Sequence, residues 1–156
     1  MEWGLFGGSA VALFGAWCAA LCGFDLRMRR LPNVLTLPAA ALALVAALWQ
    51  AFDGAPSALL GAALWTAVNG AAFLARGMGA GDVKLAPTLG AVVGEAAGVP
   101  GVLIAVLAAQ AITVAWALLA RRRTVPHGPA MIGAAWCVLG LSLVVPVVGS
   151  IGPALG

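Results

Sequence analysis

Two of the five acidic residues stand where they can do hydrolytic work. Asp25 lies in Phe24-Asp25-Leu26-Arg27-Met28-Arg29-Arg30-Leu31-Pro32-Asn33, and Asp82 in Gly77-Met78-Gly79-Ala80-Gly81-Asp82-Val83-Lys84. A carboxyl pair can hydrolyse a peptide bond if one member, ionised, deprotonates water while the other, neutral, protonates the carbonyl. Two such groups close together at low dielectric share one proton, because both cannot ionise cheaply. The glycines before Asp82 let a substrate backbone come close and permit non-helical torsions.

The surrounding chain must bring these two residues to one place, and its composition says in what medium. Of the 156 residues 63% are hydrophobic and 8% charged, with a mean hydropathy of +1.09. Soluble domains carry about 25% charged residues, so an ordinary globular fold is excluded. Six spans of about 20 residues fit one all-α, polytopic membrane domain over residues 1–156. The apolar runs are 3–24, 34–52, 57–75, 81–98, 99–120 and 130–155. Only Glu2 precedes the first run, which has no basic flank or cleavage site and reads as a retained span. Pro146 and Pro153 predict an irregular or kinked end to the last. The fourth is short and holds Pro87, Gly90, Gly94 and Glu95, features that also suit a re-entrant segment.

Charge placement decides for six. Arg27, Arg29 and Arg30 follow the first run, Arg76 and Lys84 bracket the junction of the third and fourth, and Arg121, Arg122 and Arg123 follow the fifth. Six crossings put all of these on one side, which the positive-inside rule makes cytoplasmic, with both termini on the other. The net charge of +3 therefore reports topology, and no nucleic-acid partner is expected. Span lengths place Asp25 and Asp82 at the same cytoplasmic membrane boundary. Spacing alone leaves two readings open: a catalytic dyad, or ordinary loop charges paired with Arg27 and Lys84.

The motifs resemble a known family. Gly79-Ala80-Gly81-Asp82-Val83-Lys84-Leu85, continuing to Gly90 and Gly94, closely resembles the GxGD motif of type IV prepilin peptidases and the related archaeal preflagellin peptidases. Asp25 with Arg29-Arg30-Leu31-Pro32-Asn33 resembles the family's first aspartate and its sequel. Val125-Pro126-His127-Gly128-Pro129-Ala130 resembles the Pro-x-Gly-Pro segment that opens the last span. The resemblance implies an aspartyl endopeptidase of the plasma (inner) membrane that removes the basic leader of prepilin-like precursors at the cytoplasmic face. It implies Asp25 and Asp82 as the catalytic pair, with Gly79, Gly81, Lys84, Pro32 and Asn33 as motif support or substrate-positioning residues. Neither cofactor nor metal is implied; pilus or secretion assembly machinery is admitted as a further partner beside the bilayer. Larger members carry paired Cys-x-x-Cys motifs between the first two spans and methylate the new amino terminus. No Cys-x-x-Cys occurs here, so the chain resembles the minimal, peptidase-only branch of tight-adherence (Flp-type) pilus systems, and no methyltransferase activity is expected.

The rival of a different class is a non-enzymatic membrane protein, a transporter subunit or assembly factor. A transporter calls for ionisable residues near mid-membrane, where this chain offers only Asn69 and Gln110. Both are expected to make interhelical hydrogen bonds. Asn33 is expected to cap the second helix, orientation of Asp25 being its other reading. Cys18, Cys22 and Cys137 read as small packing residues rather than metal ligands. His127 reads as a filler at the last helix's entrance, or as a group that tunes the dyad.

Overall fold

A computed structural model describes residues 5–122 and 124–151, with side chains for 8–122 and 124–144. The expectations that fall on Glu2, Arg123 and Pro153 lie outside the described residues. The described chain is helical, with no strand: α1 (Leu5–Met28), α2 (Asn33–Phe52), α3 (Ser57–Leu74), α4 (Ala80–Leu119) and α5 (Gly128–Ile151). The first four are long and apolar enough to cross a membrane, and α5 is apolar over Gly128–Val144. Leucines and valines on their outer faces are exposed, Leu13, Val45, Leu107 and Leu143 among them. A protein surface of this kind suits lipid rather than water.

α4 is not one rod. Gly98 has φ 65° and ψ −174°, a backbone state open essentially to glycine, and the helix resumes at once through Pro100. On a straight helix Gly94 and Val102 would stand about 12 Å apart. Yet a Cβ built on Gly61 would lie 3.0 Å from both Gly94 Cα and Val102 Cγ2. The chain therefore folds back at Gly98, and the halves 80–97 and 99–119 run antiparallel. The sequence expectation has its fourth and fifth segments meet at 98 and 99, and the non-helical residue is Gly98.

The fourth run, weakest by hydropathy, is the heart of the core: Leu85, Ala86, Leu89 and Val93 are fully buried. Its glycines explain why. A Cβ on Gly90 would strike the Gly61 carbonyl and come within 2.9 Å of Ala62 Cα, and one on Gly94 would strike the Ser57 carbonyl. Small residues allow the α3 and α4 backbones to touch, which supplies van der Waals attraction where lipid offers no hydrophobic drive. Trp65, also on α3, is wholly buried beside this seam rather than anchored at an interface.

Helix ends differ from expectation in three places. α1 runs to Met28, so Asp25 occupies its last turn instead of following it. Pro146 does not interrupt α5, which continues to Ile151. Asn33 is the first residue of α2, preceded by Pro32 with no side-chain cap, and its amide oxygen is used elsewhere. At the dyad end three arginines, Arg29, Arg76 and Arg121, follow helix ends with φ of 50°, 60° and 49°. This left-handed state usually belongs to glycine. Arg76 and Arg121 donate their N–H groups to the carbonyls of Phe73 and Leu118, and Gly77 and Arg122 to those of Ala72 and Ala117, closing both helices.

Candidate active site

The end of the bundle where α1, α3 and α4 meet the α5 entrance gathers the polar side chains of an otherwise apolar protein. Asp25, in the last turn of α1, is 7% exposed, and Asp82, in the first turn of α4, is 9% exposed. A buried carboxyl needs partners, and the chain supplies them from afar. The Gly128 N–H, at the start of α5, donates to Asp25 Oδ2 at 3.0 Å across 103 positions. The positive dipole end of α5 thus lies against this carboxyl. The lack of a side chain at Gly128 is essential, since a Cβ there would lie 2.8 Å from the same oxygen. The helix of Asp82 begins at extended Gly79, and a Cβ on Gly79 would stand 3.6 Å from Asp82 Oδ2.

Further bonds hold the frame. Asn69 of α3, fully buried, donates to the Asp82 carbonyl at 3.3 Å and to Met131 Sδ of α5 at 3.4 Å. The expected interhelical role of Asn69 is thereby seen, and it falls at the dyad. Lys84 Nζ donates to Asn33 Oδ1 at 2.8 Å, tying the α1–α2 connection to α4. Arg29 donates to Thr124 Oγ1 at 3.4 Å. Thr113 donates to the Ala109 carbonyl at 2.8 Å, so the 2.6 Å contact of its Oγ1 with His127 Nδ1 assigns the ring proton to Nδ1. His127 is buried, and that burial lowers its pKa to about 4, keeping the ring neutral near pH 7.

Three cavities meet at Asp82. One of about 450 Å³ is lined by Asp25, Pro32, Asn33, Gly79, Gly81, Asp82 and Lys84, bringing every site residue expected from sequence to one place. A second, of about 400 Å³, lies between the α3–α4 connection and the second half of α4, and includes Gln110, Thr113 and His127. A small third, of about 150 Å³, is lined by both aspartates and His127. Among the described residues no group of three His, Cys, Asp or Glu side chains is placed to hold a metal ion. Cys18 is buried in the core and Cys137 is exposed. Gly128, Asn69 and Thr113 were not singled out as site residues from sequence. Their one local signal is a polar residue, or a glycine between prolines, at the rim of an apolar run.

Two buried carboxyls thus line one shared cavity at the end of an apolar helical bundle. Residues 12–118 match the type IV leader peptidase family, and the chain belongs to it. Among individual proteins it is similar to a prepilin leader peptidase/N-methyltransferase of Xanthomonas campestris pv. campestris, at 36% identity over 147 residues. The match covers 87% of this chain and 50% of that relative, so the chain spans about half the length of the curated protein it matches. No solved structure matches it.

Proposed function

We propose that this chain is a membrane aspartyl endopeptidase that removes the basic leader of prepilin-like precursors, with Asp25 and Asp82 sharing one proton and water as the nucleophile. The observation that carries the reading is the pair of buried aspartates, from helices 57 positions apart, lining one small cavity. The ionised member takes a proton from water as its oxygen attacks, and the neutral one protonates the scissile carbonyl; as the C–N bond breaks, the first passes its proton to the leaving amine and the second regains one from the gem-diol hydroxyl, restoring the pair. Helix N-termini beside both acids stabilise the single shared negative charge. Residues 1–156 act as one integral membrane domain. The fold-back at Gly98 supports two crossings by α4 and six in all, with both termini outside the cytoplasm and the dyad at the cytoplasmic face of the inner membrane. Lys84, Pro32, Asn33, Gly79 and Gly81 shape the mouth. Cleavage needs no cofactor, and methylation of the new amino terminus is not expected.

Co-expression with pilin-like precursors tests this, reading leader loss and the new terminus by mass spectrometry. Wild type should cleave, Asp25→Asn and Asp82→Asn should not at equal membrane levels, and the product should carry no methyl group. Full turnover by either variant would remove the dyad from the mechanism.

A further inference from the structure

The cavities lined by Asn33 and by Gln110 share only Gly79 and Asp82, so they lie on opposite sides of the second aspartate. The small cavity joins them past Asp25. A peptide laid across the dyad must therefore leave one side of its cut bond in each. Their depths differ. The Asn33 side is walled by connections at the bundle end, including Arg29, Arg30 and Pro32. The Gln110 side also touches connections, at Arg76, Met78, Thr124 and Val125, but extends from them along the second half of α4 past Thr113 to Gln110. Counted from the fold-back at Gly98, Asp82 and Val114 are each 16 residues away and share a level. Gln110 is four residues nearer the fold-back, about 6 Å deeper into the apolar zone.

Gln110 supplies an independent sign. It sits within an apolar helix, lines this cavity, and its amide makes no hydrogen bond among the described residues. Sequence predicted an interhelical bond, and none is made. Gln110 is partly exposed to the cavity, so its carboxamide is open to a partner from a bound chain. An apolar helix that begins just after a cut bond brings the complementary need: its first four N–H groups have no intrahelical acceptor.

We propose that the cavity beside α4 is the subsite for the start of the apolar segment that follows the scissile bond, with Gln110 Oε1 accepting a hydrogen bond from that segment's first helical turn. The inference rests on the peptidase reading and adds to it the direction in which substrate lies. The leader then occupies the Asn33 side. Gln110 is a specificity and positioning residue.

The test uses the full chain in membranes with a pilin-like precursor. Gln110→Leu keeps the volume and suits lipid better, so it should insert at least as well as wild type. It should raise KM and lower kcat/KM roughly tenfold, the effect of one lost buried hydrogen bond. Gln110→Asn should recover part of the loss. Unchanged kinetics for Gln110→Leu, or a fall in kcat with KM unchanged, would overturn the proposal. A photoreactive residue at Val114, placed in the Asp25→Asn chain so that precursor stays whole, should cross-link within the first turns after the junction. Cross-linking to the leader would reverse the direction proposed, and no cross-link would remove the subsite. Failure of wild type to cleave, with the cross-link still formed after the junction, would instead count against the peptidase reading alone.

Discussion

The α3–α4 seam and the dyad mouth are held together by opposite means. At the seam, Gly61, Gly90 and Gly94 bring backbone against backbone, leaving no space for a methyl group. At the mouth, helices are joined by single hydrogen bonds over long sequence separations: Gly128 to Asp25, Asn69 to Asp82, Lys84 to Asn33. Dense apolar contact fixes the distance between helices without regard to chemistry. Polar links fix the direction of individual groups and leave cavities beside them. The seam therefore sets where α4 starts, and the mouth sets how its acid is presented.

Substitutions that touch one region and spare the other test this division. The largest effect is expected at the acids: Asp25→Asn or Asp82→Asn should lower cleavage by roughly 10²–10⁴-fold. Thermal unfolding in detergent should show the folded state retained. A parallel fall in stability would mean that the acids serve the frame. Next comes Gly128→Ala, whose methyl would displace the Asp25 carboxyl. It should add about 1.5–3 kcal/mol to the cleavage barrier, the worth of a hydrogen bond to a charged group, while the melting temperature moves little. Gly90→Ala should behave in reverse. Overpacking at the seam should cost about 1–3 kcal/mol of stability, with cleavage per folded molecule nearly unchanged. If instead activity vanished before stability, seam and mouth would form one mechanical unit.

The smallest effect concerns His127. Its folded pKa of about 4 lies below the ordinary 6.5, so between those values the unfolded chain binds more protons. Stability should therefore decline as pH falls from about 6.5 toward 4. His127→Gln should flatten that part of the melting-temperature profile without altering its shape above pH 7. An unchanged slope would show that the ring is not buried neutral.

Much of this was legible in the chain because membrane physics is largely one-dimensional. Span length put Asp25 and Asp82 at one level, and both do line one cavity. Non-helical Gly98 lies at the junction that charge placement asked for between the fourth and fifth runs, and the residues singled out from Asn33 to Lys84 line one cavity. What escaped was lateral. That α5 starts against Asp25, or that Asn69 holds Asp82 rather than a merely structural neighbour, depends on which helices are adjacent. Hydropathy carries no information on that. Asn33 misled because its type and place suit a cap, whereas Lys84 across the groove claims its oxygen.

The left-handed arginines have a consequence for how this chain can change. Arg29, Arg76 and Arg121 each hold a torsion that glycine adopts at lower cost, by about 1–2 kcal/mol. Glycine at those positions would make a firmer protein. Under the proposed topology it would also erase three of the charges that tell the insertion machinery which way to thread the chain. Selection for robustness in detergent would then favour variants that a cell threads backwards, while selection in cells would keep the strain. Biogenesis and endurance compete for the same three residues.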